Sequence, residues 1–191
     1  MYTIGEHKRF SVESIIKKYL KEETFSFQIN NINIKEDFKE NLTSVTVDMS
    51  DGMKDFKVRG QSRKGAIHAF FKVLLKKYSK DYESISNISL VGFSVVPDFK
   101  RTKKGTDAVA EVLMEFKNQK DCLISFRNAD SSYIRASFKS LLHGMEFFIN
   151  LEKSSFHLLR CIEDADKRGR ADLALKYKYD LAALVEINNF K

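Results

Sequence analysis

The run DFKVRGQSRKGAIHAFFKVL, residues 55–74, places a Gly-, Ser- and Lys-rich turn directly before an Ala- and Phe-rich helix. Free N–H groups at a helix start, approached over glycine, suit an anionic group such as a carboxylate or a phosphate. Gly60, Gln61, Ser62, Gly65 and Ala66 would form this turn, and His68 stands just inside the helix. Arg63 and Lys64 would be phosphate donors if the ligand is RNA, with Lys100, Arg101, Lys103 and Lys104 of KRTKK as a second contact. The same pattern also describes an ordinary helix entry that packs a core, so this stretch leaves both readings open.

Other reactive residue types are scattered. His7, His68, His143 and His157 form neither H-x-H nor H-E-x-x-H, so their spacing yields no metal site. Cys122 and Cys161 are isolated from each other and read as free thiols. Asp48 and Glu115 fall on exposed strand faces with no nucleophile–base pair beside them. No catalytic constellation and no cofactor motif results, and the chain is not expected to be an enzyme.

The elements that position the turn are duplicated. At an offset of 67, Ile67, Ala69, Phe71, Lys72 and Leu74 coincide with Ile134, Ala136, Phe138, Lys139 and Leu141. Val45, Val47 and Asp48 then meet Val112, Met114 and Glu115 with no gap. In each copy alternating apolar residues predict a strand hairpin that feeds a helix. The inward positions are Val45, Val47, Phe56 and Val58 in the first copy and Val112, Met114 and Leu123 in the second, with Ser125 breaking the pattern. The turns are SDGM and KNQK, and the helices span about 64–78 and 132–151. Arg127, Asn128, Ala129, Asp130 and Ser131 become the second helix-entry turn.

ISLVGFSVVPDF between the copies reads as a further strand, and Gly105 turns the chain into the second hairpin. SVESIIKKYLK, residues 11–21, predicts a short helix capped by Ser11 with Glu13 in its first turn, and FSFQINNINI a strand. Past Leu151, two more helices are expected, with Gly169 ending the first and Asp172 starting the second. Phe70, Phe71, Phe147 and Phe148 belong to a core or a dimer interface. The fold class is α+β: two duplicated β-hairpin–helix units over residues 42–151 (repeats about 43–78 and 107–151), a helix and strand extension over 1–41, and a C-terminal helical hairpin over 152–191.

Composition agrees with a folded chain: 43% of the 191 residues are hydrophobic and only one is proline. The formal charge of +7 permits an anionic partner without requiring one. No segment has the length and apolarity of a membrane span, and the opening MYTIGEHKRFSVESI is too charged for a signal peptide, so a cytoplasmic protein is expected.

LVGFSV, GTDAVAEVLMEF and IRASFKSLLHGMEF follow in an order that resembles the C-terminal regulatory, or allosteric dimerisation, domain of the alpha-isopropylmalate synthase family. In that family a strand of type L-x-D-Y-x-V precedes G-x-D-A, and a helix opening with I-x-A-S follows. Leu90, Phe93 and Val95, then Gly105, Asp107 and Ala108, then Ile134, Ala136 and Ser137 take these places. GAIHA from Gly65 to Ala69 stands where the family has G-P-V-D-A, with Ala66 for its proline and His68 for its acid. Tyr133 replaces the acid usual before Ile134.

The resemblance, over roughly residues 42–150, implies a non-catalytic domain that pairs with a second copy and binds an end-product amino acid near the turns opening the two helices. An amino-acid-like effector would then meet Gly60, Gln61, Ser62, Gly65, Ala66, His68, Asn128, Ala129, Asp130 and Ile134. The family's metal-binding histidine pair and R-D-G-x-Q segment are absent, so the chain would serve a synthase as a subunit separate from a catalytic synthase partner, as a fragment, or as a diverged relative. The alternative is a double-stranded-RNA-binding-like module, which also runs strand–strand–strand–helix. Against it, NADSSYIRAS has no lysine cluster at its helix start, and residues 90–108 have no counterpart in that fold.

Overall fold

Alternation in the sequence becomes alternation in burial. In β3 (Leu42–Ser50) Thr43, Val45, Val47 and Met49 are buried between half-exposed neighbours, and in β6 (Val109–Lys117) Val112, Met114 and Phe116 are. The computed structural model describes residues 2–98 and 109–187. β1 (Tyr2–Thr3) and α1 (Glu6–Leu20) come first. β2 (Gln28–Asp37), β3 and β4 (Asp55–Ser62) form one antiparallel sheet, followed by α2 (Ala66–Tyr78) and the single-turn α3 (Glu83–Ser86). β5 (Ser89–Asp98), β6 and β7 (Cys122–Asp130) form the second sheet, with β1 added in parallel along β7; α4 (Tyr133–Lys167) and α5 (Ala171–Ile187) follow. The class is α+β and the duplicated units stand, each with a third strand ahead of its hairpin.

Those leading strands share an irregularity. The pairing register shifts between Ile29 and Asn31 in β2 and between Leu90 and Gly92 in β5, so the duplication includes a β-bulge in each.

The ungapped alignment of the repeats needs one correction. Val47 pairs with Val58, whereas Met114 pairs with Phe126, so the offset is 67 on the first strand of the hairpin and 68 on the second. The cause is the turn: residues 51–54 separate the paired Ser50 and Asp55, but residues 118–122 separate Lys117 and Leu123. Asn118 organises the longer turn by accepting the N–H groups of Lys120 and Cys122 at 2.9 and 3.0 Å. Because side chains alternate with period two, that one residue flips the strand. Cys122, Ile124 and Phe126 are buried, and Leu123 and Ser125 are not. A strand-to-helix link one residue shorter restores the offset of 67 in the helices, so Asn128 matches Gly60 and Asp130 matches Ser62.

Two helix expectations are also revised. α1 starts at Glu6 behind Gly5, and Ser11 lies inside it, since HKRFSVESI contains no residue that stops a helix. α4 runs unbroken through Leu151 for 35 residues because its apolar stripe continues through Leu158, Ile162 and Ala165. It ends at Gly169, whose φ of 67° suits glycine; the Gly169 and Arg170 N–H groups return to Asp166 and Ala165 carbonyls. The C-terminal hairpin is therefore the distal half of α4 with α5.

The helices cover the inner sheet faces, and Phe70, Phe71, Phe147 and Phe148 are all buried there. α2 lies so close to β4 that a Cβ on Gly60 would sit 2.7 Å from the Ala69 carbonyl oxygen.

Candidate functional site

The two helix starts are built on one plan with different chemistry. In the first, the buried Ser62 hydroxyl accepts the Lys64 N–H at 2.9 Å and shares a hydrogen bond of 2.8 Å with His68 Nδ1. Gly65 takes φ 92° immediately before α2, and no side chain caps that helix. Burial, then the nearby Lys64 and Lys72 charges, hold the His68 pKa below its ordinary value, which favours neutral imidazole. Gln61 donates to Ser44 Oγ, and Arg63 and Lys64 are exposed. Lys100, Arg101, Lys103 and Lys104, with Gly105, Asp107 and Ala108, lie outside the described residues.

In the second start Asp130 replaces Ser62. Its Oδ1 accepts the Ser132 N–H at 3.0 Å and Arg135 Nε at 2.9 Å, and its Oδ2 accepts Lys139 Nζ at 2.9 Å. Hydrogen bonds from Arg135, then Lys139, hold the Asp130 pKa well below the usual carboxylate range. The Ser132 hydroxyl caps α4 by accepting the Arg135 N–H. Asn128 is tied to Ser140 Oγ at 3.2 Å, and Ala129 is exposed.

A cleft of about 540 Å³ opens between β2 and the first two turns of α4. Ile29, Ile32, Ile34, Ile134 and Phe138 give it apolar walls, with Asn30, Asn31, Ser132, Arg135 and Lys139 around them. Of the residues expected from the sequence only Ile134 lines it; those of the first turn do not. The missed residues are those of β2 together with Arg135, Phe138 and Lys139. INNINI does read as a strand in the sequence, but nothing there says that the other repeat's helix flanks it.

A second surface lies on β5. Phe93 and Val95 pair with Met114 and Val112, so they share the helix side of the sheet, yet they remain 50% and 41% exposed. Val91 and Val96 are exposed as well, and SLVGFSVVP carries no charge. β5 is the outer strand of its sheet.

Among the described residues no group of three or more His, Cys, Asp or Glu side chains could hold a metal, and no helix is long and apolar enough to cross a membrane. No curated protein matches the sequence. The sequence model of the LeuA allosteric (dimerisation) domain matches residues 7–149. That span takes in α1, all strands of both repeats, α2 and the first half of α4. The chain, with its duplicated strand–strand–strand–helix units, belongs to the LeuA allosteric dimerisation domain family.

Proposed function

We infer that the chain has the regulatory and dimerisation role of its family, whose domain is non-catalytic on its own. We propose that the chain self-associates through β5 and that the cleft between β2 and α4 takes a small amino-acid-like effector. The apolar outer strand carries the first part. An edge strand that carries no charge before its last residue, Asp98, and exposes four large apolar side chains is an open template for pairing, and water contact with it is unfavourable. A second copy supplies both the strand hydrogen bonds and the apolar cover.

For the effector, the cleft combines an apolar wall for a side chain with Asn30, Asn31 and the open polar rim of α4 for a zwitterionic head. Arg135 and Lys139 are already engaged by Asp130, so a carboxylate there competes with Asp130. An effector acts only through a difference in affinity between states, so the regulated partner is a catalytic synthase subunit whose shape the dimer biases.

Sedimentation velocity tests the self-association. Phe93→Glu with Val95→Lys should convert a dimer to a folded monomer, and a dimer that survives the pair of changes sinks the β5 assignment. A thermal-shift series with branched amino acids and 2-keto acids tests the cleft, since a ligand that binds only the native state raises Tm. Loss of that shift in Ile134→Trp locates the site, and a shift that persists unchanged removes the cleft.

A further inference from the structure

The excess positive charge of the chain sits in one segment. Residues 54–80 hold nine of the 33 Lys and Arg but only one of the 26 Asp and Glu, Asp55, which leaves 24 basic against 25 acidic residues everywhere else. The duplication supplies an internal control. At the repeat offset the matching stretch is 121–147, and it holds three basic and three acidic residues. The strand–turn–helix fold is the same in both, so the fold does not require the cations.

The segment is β4, the turn after it and α2, which packs on β4 at Gly60, so a run in sequence becomes one surface. β4 exposes Lys57 and Arg59 while Val58 and Ser62 between and beyond them are buried. The turn exposes Arg63 and Lys64, and α2 exposes Lys72 and Lys76 four residues apart, with Lys80 just past its end. Lys77 Nζ lies 4.1 Å over the Phe56 ring and so joins helix to strand. Burial, then the charges of Lys64 and Lys72, lower the His68 pKa, so the cations of turn and helix reach the same place.

Few carboxylates answer these charges. Asp48 is held by Lys57 at 3.0 Å, and Asp51 is buried and accepts the Tyr78 hydroxyl at 3.1 Å. Among the described residues Arg59, Arg63, Lys64, Lys72, Lys76 and Lys80 form no salt bridge. Lys72 and Lys76 lie one turn apart and repel each other, and a bound anion relieves that repulsion. The face also lacks what other anionic partners use. Phe70, Phe71 and Tyr78 are buried and Phe56 is covered by Lys77, so no aromatic platform is open to unstacked bases. No large hydrophobic of residues 54–80 is exposed, so the face has neither the apolar centre of a protein interface nor a wedge for a membrane.

We propose that the β4–α2 face binds the phosphate backbone of double-stranded nucleic acid without reading its bases. A duplex presents a dense, regular line of charge, and contacts to it need cations on a rigid support and nothing more. β4 and β2 are opposite edges of their three-stranded sheet, so a duplex on β4 leaves the cleft beside β2 open.

Fluorescence anisotropy of the full chain with a short labelled duplex of arbitrary sequence tests this, repeated over a series of salt concentrations. Log K should fall linearly with log salt, by about 0.9 for each phosphate met. Lys72→Glu with Lys76→Glu should weaken binding by about tenfold or more and make the slope shallower by about two. Lys167→Glu with Lys176→Glu makes the same change of charge on the exposed C-terminal hairpin and should alter neither. Equal loss in the two pairs means attraction by net charge alone and overturns the face, as does an absence of duplex binding at low salt. Single strands, polyglutamate and phosphatidylserine vesicles serve as competitors, and tighter binding to any of them than to the duplex overturns the assignment. Thermal unfolding checks that the variants fold; should the α2 pair not fold, Arg59→Gln with Arg63→Gln gives the same reading, a weaker and less salt-dependent complex or a refuted face.

Discussion

The ring of Phe70 on α2 lies against that of Phe138 on α4, centroids 4.8 Å apart and planes 27° apart, so the two repeats meet through a stacked aromatic pair in the buried core. The pair is not related by the repeat, because Phe138 corresponds to Phe71; the units are clamped by an asymmetric contact. Phe70→Ala and Phe138→Ala should each destabilise the domain by about 3–5 kcal/mol, measured by urea denaturation. Phe138 also walls the cleft, so only Phe138→Ala should in addition abolish the ligand-induced thermal shift. Equal ligand response in both variants would contradict the cleft assignment.

Asp130 anchors the start of α4. Asp130→Ala removes the acceptor of the Ser132 N–H and frees Arg135 and Lys139, and should cost about 1–2 kcal/mol, mostly through the lost backbone bond. The two ion pairs add little because Arg135 and Lys139 are more than half exposed. The pKa of Asp130 is depressed in the folded state, so its contribution is present above the ordinary 3.8 and lost as pH falls below it. Denaturation at pH 7 and pH 2.5 should show the wild type and Asp130→Ala converging in acid. An unchanged gap would refute the linkage.

Two glycines near the first helix start are required for different reasons. At Gly60 a Cβ would meet the Ala69 backbone at 2.7 Å, so Gly60→Ala must shift α2 from β4, at about 1–3 kcal/mol. At Gly65 the space is open but φ is 92°, so Gly65→Ala strains the backbone alone, at about 1–2 kcal/mol. Heteronuclear chemical-shift mapping separates them. Gly60→Ala should perturb the whole of α2, and Gly65→Ala only its first turn.

Asn118 joins the second hairpin to the C-terminal helix. Its Nδ2 donates to the Ile187 carbonyl at 2.6 Å while its Oδ1 organises the turn, and Lys120 Nζ donates to the Val185 carbonyl at 2.8 Å. Residues beyond 149 lie past the family match, yet Leu184 and Ile187 are fully buried, so α5 is packed into the domain. Asn118→Ala should lower stability by about 2–3 kcal/mol and speed hydrogen exchange in the last turn of α5. Unaltered exchange there would show that the carbonyl contacts do not hold the helix.

Periodicity and turn chemistry made the strands, the helices and the duplication legible, since local patterns of period 2 and 3.6 report which face each element buries. The ordered matches from Leu90 to Ser137 carried the family. Local reading failed where neighbours decide. The Phe126 side of β7 depends on a single extra turn residue, and the length of α4 depends on α1 and α5 covering its distal stripe. Of the site, local pattern alone reveals two helix starts of related design, with Ser62 and Asp130 in their turns. It takes the packed fold to show that β2 faces the helix of the other repeat, so that Ile32 and Ile134 line one cleft, and that the apolar side of β5 is left open. Those pairings follow from how the two units pack around Phe70 and Phe138, a contact between residues 68 positions apart that no local pattern encodes.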